Sequence, residues 1–129
     1  KLKNKLDGVT KKRMKNSNLF DKFFKINSNV RVMKRLPHLK EVFHLYHINV
    51  NRRDQLQQYL ISKSVDAKVH YPIPIHLQTA AKFLKYKRGD FPVAEEMANT
   101  SLSLPVHEFI KDSDIKYVAD LINKFYLKK

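Results

Sequence analysis

His70, Tyr71 and His76 stand on one short segment, His70-Tyr71-Pro72-Ile73-Pro74-Ile75-His76. Each proline fixes its own φ, removes a backbone donor and pushes the residue before it out of the helical region. The segment is therefore expected to be an extended, stiff loop, neither helix nor central strand. Imidazole and phenol groups supply donors and acceptors matched to hydroxyl and phosphate groups, and an imidazole moves a proton near neutral pH. A rigid loop carrying three such rings at a strand end is a favoured place for a ligand. Packing of the aromatics against the domain is the structural alternative.

The remaining chemistry is sparse. His44 and His47 lie three apart on a segment that reads as a strand, where successive side chains alternate faces, so the two should point opposite ways. The chain has no cysteine to complete a metal site, so zinc ligation by this pair is not expected. Packing or hydrogen bonding beside a buried strand is the alternative for both. The sequence contains no Ser/His/Asp triad, no phosphate-cradling glycine loop and no carboxylate pair.

The elements that must position the loop follow from periodicity. Residues 1–25 read as a helix, with Leu2, Leu6, Val9, Phe20 and Phe24 on one stripe continued by the small Ser17. Asn27-Ser28-Asn29 closes it as a polar turn, and Val30–Met33 can form a short strand before Pro37. Val42–Val50, rich in β-branched and aromatic residues, is the strongest strand and should be central. Asn51 can cap a helix that buries Leu56, Tyr59 and Leu60, turns Arg52, Arg53, Gln57 and Lys63 to water, and ends near Ser64. Val65–Val69 reads as a strand, Leu77–Leu84 as a short helix, Tyr86–Pro92 as a turn and Val93–Asn99 as a helix. Ser101–Leu104 reads as another short strand. Asp112 then caps a last helix carrying Ile115, Val118, Ile122 and Phe125, with Lys124, Lys128 and Lys129 near its C-terminal dipole. Hairpin signals are absent, so strands must be joined through helices or long loops. The order predicts an α/β domain, a small two-layer sandwich with helices packed on a short sheet.

A chain of 129 residues with 43% apolar side chains is enough for one core. The lack of cysteine excludes a disulfide framework and fits a reducing compartment. No apolar run is long enough to span a membrane and the N-terminus lacks a signal-peptide stretch, so a cytoplasmic protein with no membrane partner is expected. A chain beginning at Lys1 rather than Met also reads as part of something longer. The net charge is +14. Residues 1–40 hold thirteen of the 26 basic residues against only Asp7 and Asp21, so +11 of that charge lies there. Such a stretch is either a solvated helix face or, in a free-standing basic module, a nucleic-acid site; the solvated face, with no specific nucleic-acid partner, is the expectation.

Three motifs in order carry a resemblance. Lys68-Val69-His70-Tyr71-Pro72-Ile73-Pro74-Ile75-His76-Leu77-Gln78, then Gly89-Asp90-Phe91-Pro92-Val93-Ala94-Glu95, then Leu102-Ser103-Leu104-Pro105 closely resemble the DegT/DnrJ/StrS family of pyridoxal phosphate (PLP)-dependent sugar aminotransferases. The match extends upstream through His44-Leu45-Tyr46 and Arg53-Asp54-Gln55-Leu56, and more weakly to Lys12-Arg13 and Asn16. The resemblance implies that residues 1–129 are a single C-terminal small domain of a fold-type-I aminotransferase. Residues 1–26 would be the helix leading in from an N-terminal PLP-binding domain. The Schiff-base lysine, the acid facing the pyridine nitrogen and most phosphate contacts would then lie upstream of Lys1, so no catalytic or cofactor-binding residue is expected in this chain and it should be inactive alone.

By the same resemblance His70 and Tyr71 contact a nucleotide-linked keto sugar, Pro72 holds the turn, and His76 is a further substrate candidate. The amino group would come from an amino acid, with glutamate the expected donor, and the full-length protein would be a homodimer. A PLP-dependent sugar dehydratase of the same family shares this pattern and is the nearest alternative. Where many relatives have glycines before His-Tyr-Pro, this chain has Ser64-Val65-Asp66-Ala67-Lys68. Lys68 is thus either a surface lysine at a strand edge or a contact to substrate phosphate.

The basic stretch yields a direct test. Titration with DNA or RNA at two salt concentrations should show weak, sequence-insensitive binding that is lost at physiological salt. Tight binding that survives about 200 mM salt would favour the binding module instead.

Overall fold

The computed structural model describes residues 3–127. Leu2, Lys128 and Lys129, assigned above to a helix stripe and a helix end, lie outside the described residues. Four helices, α1 (Lys3–Phe24), α2 (Arg53–Ser62), α3 (Pro92–Thr100) and α4 (Asp112–Leu127), accompany three strands, β1 (Val30–Val32), β2 (Tyr46–Val50) and β3 (Ser101–Leu104). The strands form one antiparallel sheet in the order β1-β2-β3, with β2 central as expected. The fold is α/β, and each strand is joined to the next by helices or a long loop, in agreement with the missing hairpin signals.

Alternation along the strands gives the sheet two unlike faces. Val30, Tyr46, Ile48, Val50, Leu102 and Leu104 face a core closed by Phe20 and Phe24 of α1, Leu56 and Leu60 of α2, and Ile115, Val118, Ala119 and Ile122 of α4. The opposite face carries paired polar residues: Asn49 opposite Ser101 and His47 opposite Ser103. β3 follows α3 without a linker, because Pro92 starts the helix at N1 and Thr100 ends it beside Asn49, whose side-chain oxygen accepts from the Thr100 hydroxyl at 3.2 Å.

The structure corrects several sequence-based expectations. Leu6 is exposed, and the buried stripe of α1 begins only at Thr10, continuing through Asn16, Ser17, Phe20 and Phe24. β2 starts at Tyr46 rather than Val42, because Phe43 takes a positive φ and Arg13 Nη1 donates to the Phe43 and His44 carbonyls at 3.5 and 3.1 Å. Those carbonyls are thereby withdrawn from any ladder. Val65–Val69 is not a strand. Val65 donates to Leu60 O, Ala67 donates to Val65 O and Gln57 Nε2 donates to Ala67 O, leaving only Lys68 to exchange bonds with Ser103. Residues 75–84 form two 3₁₀ turns, Ile75–Leu77 and Thr79–Leu84, separated by an extended Gln78 instead of one helix.

Helix caps differ too. Arg52, in a left-handed conformation, occupies the N-cap expected of Asn51. Asp112 is the first residue of α4, and Asp114 reaches back to accept from the Lys111 amide at 3.1 Å. Asp112 instead holds Lys15 of α1. The apolar stripe of α4 is as predicted, with Ile115, Val118 and Ile122 buried and Phe125 packed against the core.

Arg53 is the largest departure. It was expected to face water but is only 7% exposed, with Nη1 donating to the Ala98 and Ser101 carbonyls at 3.1 Å each and Nε to Asp54 at 2.6 Å. One guanidinium thus ties the start of α2 to the junction of α3 and β3, satisfying carbonyls that the helix end would otherwise leave unpaired. Arg53→Ala is expected to lower stability by about 1.5–3 kcal/mol, the range for hydrogen bonds to a charged donor, and Arg53→Lys should recover only part, having no planar fork. Urea denaturation checks this; an unchanged midpoint for Arg53→Ala would refute the role.

Candidate functional site

The loop that follows Lys68 divides two concavities. On one side is a polar cleft of about 330 Å³ lined by residues including Arg13, His44, Asp66, Lys68, His70, Ser103 and His107. On the other is an apolar groove of about 530 Å³ lined by Tyr71, Ile73, Pro74, Ile75, His76, Leu84, Tyr86, Phe91 and Met97 among others. The expected site residues are therefore split. Lys68 and His70 go to the cleft, Tyr71 and His76 to the groove. Pro72 is exposed at the turn between them.

His70 is half-buried, and its Nδ1 lies 2.8 Å from Ser103 Oγ. Ser103 Oγ is in turn 3.0 Å from His47 Nδ1. Burial and the nearby charge of His70 hold His47 below the ordinary imidazole range. The Tyr71 ring stands edge-on to His70, with centroids 5.6 Å apart, and is 73% exposed. Lys68 is exposed and ion-paired to Asp66 at 3.0 Å.

His76 has a different setting. It is 8% exposed, lies against the Phe91 ring and places Nε2 3.1 Å from Glu95 Oε1. The same Glu95 oxygen accepts from the Gly89 amide at 2.7 Å. That amide, together with His76, holds the Glu95 carboxylate below its usual range against the opposing effect of desolvation. Gly89 has a φ of +97°, a conformation open to glycine and strained for other residues. His76 thus fastens the loop to the turn at 86–91 and the start of α3, while one edge of its ring remains in the groove wall.

His44 lies outside β2, exposed at the lip of the cleft, rather than on the central strand. His47 does sit on the strand, hydrogen-bonded as the structural alternative expected. Residue-type reasoning about the loop missed Ser103, His47 and Glu95. The alternation Ser101-Leu102-Ser103-Leu104, matched by Tyr46-His47-Ile48-Asn49, was the available signal, since period two puts both serines, His47 and Asn49 on one face. The lysine of the cleft, Lys68, is exposed and paired with the Asp66 carboxylate. What the cleft can offer a polar ligand is the His70 imidazole, flanked by the Lys68–Asp66 and Arg13–Glu108 ion pairs.

Comparison with known proteins bears on this geometry. The model of the DegT/DnrJ/EryC1/StrS aminotransferase family matches residues 1–123. A pleiotropic regulatory protein of Geobacillus stearothermophilus is 34% identical over 123 residues, covering 94% of this chain and 33% of the relative. The dTDP-3-amino-3,4,6-trideoxy-alpha-D-glucose transaminase of Streptomyces venezuelae is 32% identical over 89 residues, covering 69% of this chain and 24% of that enzyme. Among solved structures, S. venezuelae DesV in complex with a ketimine intermediate superposes with a TM-score of 0.90 at 25% identity, over 95% of this chain and 33% of that one. The chain thus spans a quarter to a third of the length of these relatives.

The Glu95 linkage has a defined pH sense. Its carboxylate is depressed in the folded state, so its contribution is full above the unfolded carboxylate pKa and is lost as pH falls through the folded value. The Gly89 amide resonance should therefore inflect on the acid side, below the ordinary carboxylate range, with loop amides exchanging faster beneath it. Glu95→Gln should abolish the inflection. A Gly89 amide insensitive to acid in the unmodified protein would overturn the linkage.

Proposed function

The chain belongs to the DegT/DnrJ/EryC1/StrS aminotransferase family, and from that premise we propose that it is the C-terminal small domain of a PLP-dependent sugar aminotransferase. The whole protein moves an amino group from an amino acid such as glutamate to a nucleotide-linked keto sugar. Relatives named as transaminases of dTDP- and UDP-linked sugars support this substrate class. α1 leads in from the larger domain, which supplies the Schiff-base lysine and most contacts to the cofactor. PLP provides the electron sink for amino transfer when bound. Residues 1–129 alone are inactive on this reading, the full-length protein is a homodimer, and a cytoplasmic setting fits a chain without cysteine.

The observation that carries the reading is the His70-Tyr71 corner. His70 is anchored to β3 through Ser103, so its ring is oriented before any ligand arrives. Tyr71 is held beside it with its phenol open to solvent. Such pre-orientation lets binding energy serve alignment of the sugar instead of ordering the loop. Pro72 fixes the corner, Lys68 adds charge at its rim, and His76 acts from behind by fastening the loop.

In the full-length enzyme His70→Ala and Tyr71→Phe should each lower kcat/KM for the sugar nucleotide by about 5- to 150-fold, equivalent to about 1–3 kcal/mol of transition-state binding. The cofactor should stay bound, by its absorbance, and His38→Gln, on an exposed loop, serves as the control. An unchanged kcat/KM for His70→Ala accompanied by a lower Tm would make the loop structural and overturn the assignment.

A further inference from the structure

Two imidazoles share one hydroxyl on the polar face of the sheet. Ser103 Oγ lies 2.8 Å from His70 Nδ1 and 3.0 Å from His47 Nδ1, and Ser103 is 3% exposed. A serine hydroxyl has one proton to donate and two lone pairs with which to accept. It satisfies both rings when it accepts an N–H from one and donates to the bare nitrogen of the other. The two tautomers are then opposite and correlated.

We infer that Ser103 and His47 are positioning residues for His70: the Ser103 hydroxyl donates to His47 Nδ1 and accepts from His70 Nδ1–H, so that His70 meets the polar cleft through Nε2. Among the described residues only Nδ1 of His70 has a protein partner. With Nδ1 carrying the proton, Nε2 of the neutral ring is an acceptor for a ligand hydroxyl. On taking up a proton there it becomes a donor to an oxyanion, and the Ser103 bond stays as it was. His47, disfavoured as a cation by its burial, then carries its proton on Nε2.

The surroundings fix the direction. His47 of β2 and His70 of the loop after Lys68 stand edge-on on either side of Ser103 of β3, with ring centroids 6.5 Å apart. From the sheet edge comes the Asp66–Lys68 ion pair, and from α1 comes Arg13, already paired with Glu108 at 3.1 Å. His44 and His107 stand at the lips of the cleft and Tyr71 lies edge-on to His70. The two carboxylates are thus held by cations of their own. The partly buried His47 is disfavoured as a cation by desolvation and by His70, which makes it the ring whose bare Nδ1 accepts from the Ser103 hydroxyl.

This inference deepens the reading of His70 as a sugar contact, but its test is independent of turnover. Histidine-selective 15N labelling of the protein at its natural length, with rings assigned through His47→Gln and His70→Gln, reads tautomers from two-bond correlations. His70 is expected in the Nδ1–H form and His47 in the Nε2–H form above neutral pH. Ser103→Ala should return His70 toward the Nε2–H form that free imidazole favours, and Ser103→Thr should keep the original pattern. His70→Gln should raise the His47 midpoint, because it removes the neighbouring group that helps to lower it.

His70 found as Nε2–H in the unmodified protein, or a His47 midpoint unmoved by His70→Gln, would overturn the inference. These signals do not require Ser103→Ala to fold. A correct tautomer pattern with unchanged kcat/KM in His70→Ala would refute the sugar contact alone. The converse result would refute only the positioning unit.

Discussion

The register of β2 against β3 is the constraint on which the rest depends. With Tyr46 opposite Leu104 and Ile48 opposite Leu102, three strands present one dry face to α1, α2 and α4. The intervening pairs, His47 with Ser103 and Asn49 with Ser101, fall on the other face. A slip of β3 by one residue would drive the Ser101 and Ser103 hydroxyls into the core and Leu102 and Leu104 out of it. Each of those side chains contributes about 1.5–3 kcal/mol by burial, so the register is strongly specified. The polar site is consequently placed by the hydrophobic core lying one residue away along the same strands.

Polar ties then hold what the short sheet cannot. The long connection from β1 to β2 is fixed by Asp21, which accepts from Arg35 at 3.0 Å and from the Tyr46 hydroxyl at 2.6 Å. Burial and the Asp21 carboxylate push the Tyr46 phenol well above its usual range, so it remains a donor. Arg35 also covers the Phe43 ring at 4.8 Å. Several cations of the basic N-terminal third are thus structural: Arg13 joins Glu108, Lys15 joins Asp112 and Arg35 joins Asp21 and Glu41. Net charge alone hides this division between stapling and solvated residues.

Much of the fold was legible because it rests on local patterns. The apolar spacing of α2 and α4, the proline opening α3, and the short strand at 101–104 follow from period and punctuation. Longer-range competition for backbone groups was not legible. Nothing near Val42 reveals that Arg13, some thirty residues earlier, withdraws two carbonyls from the would-be strand. Arg53 reads as a solvated residue on a helix flank, and its burial becomes evident only when the carbonyls of Ala98 and Ser101 are brought beside it. The loop at 70–76 was readable as stiff from its prolines, whereas its division of a polar cleft from an apolar groove required the fold.

That division has a mechanical basis. The loop is anchored at its two ends by unlike bonds: His70 to the sheet through a neutral hydroxyl, and His76 to the turn before α3 through a carboxylate that also holds Gly89. Pro72 and Pro74 keep the span between the anchors from relaxing into helix. Movement at one end must therefore be taken up by the other or by Tyr71, the exposed residue next to the first anchor. Because Ser103 belongs to β3 and Glu95 to α3, which run into each other at Thr100 and Ser101, both anchors are carried on one continuous piece of chain. Arg53 clamps that piece at its midpoint through the carbonyls of Ala98 and Ser101. A buried guanidinium that lines neither concavity thus braces the piece of chain that carries both anchors of the loop, although its sequence context suggests only a helix flank.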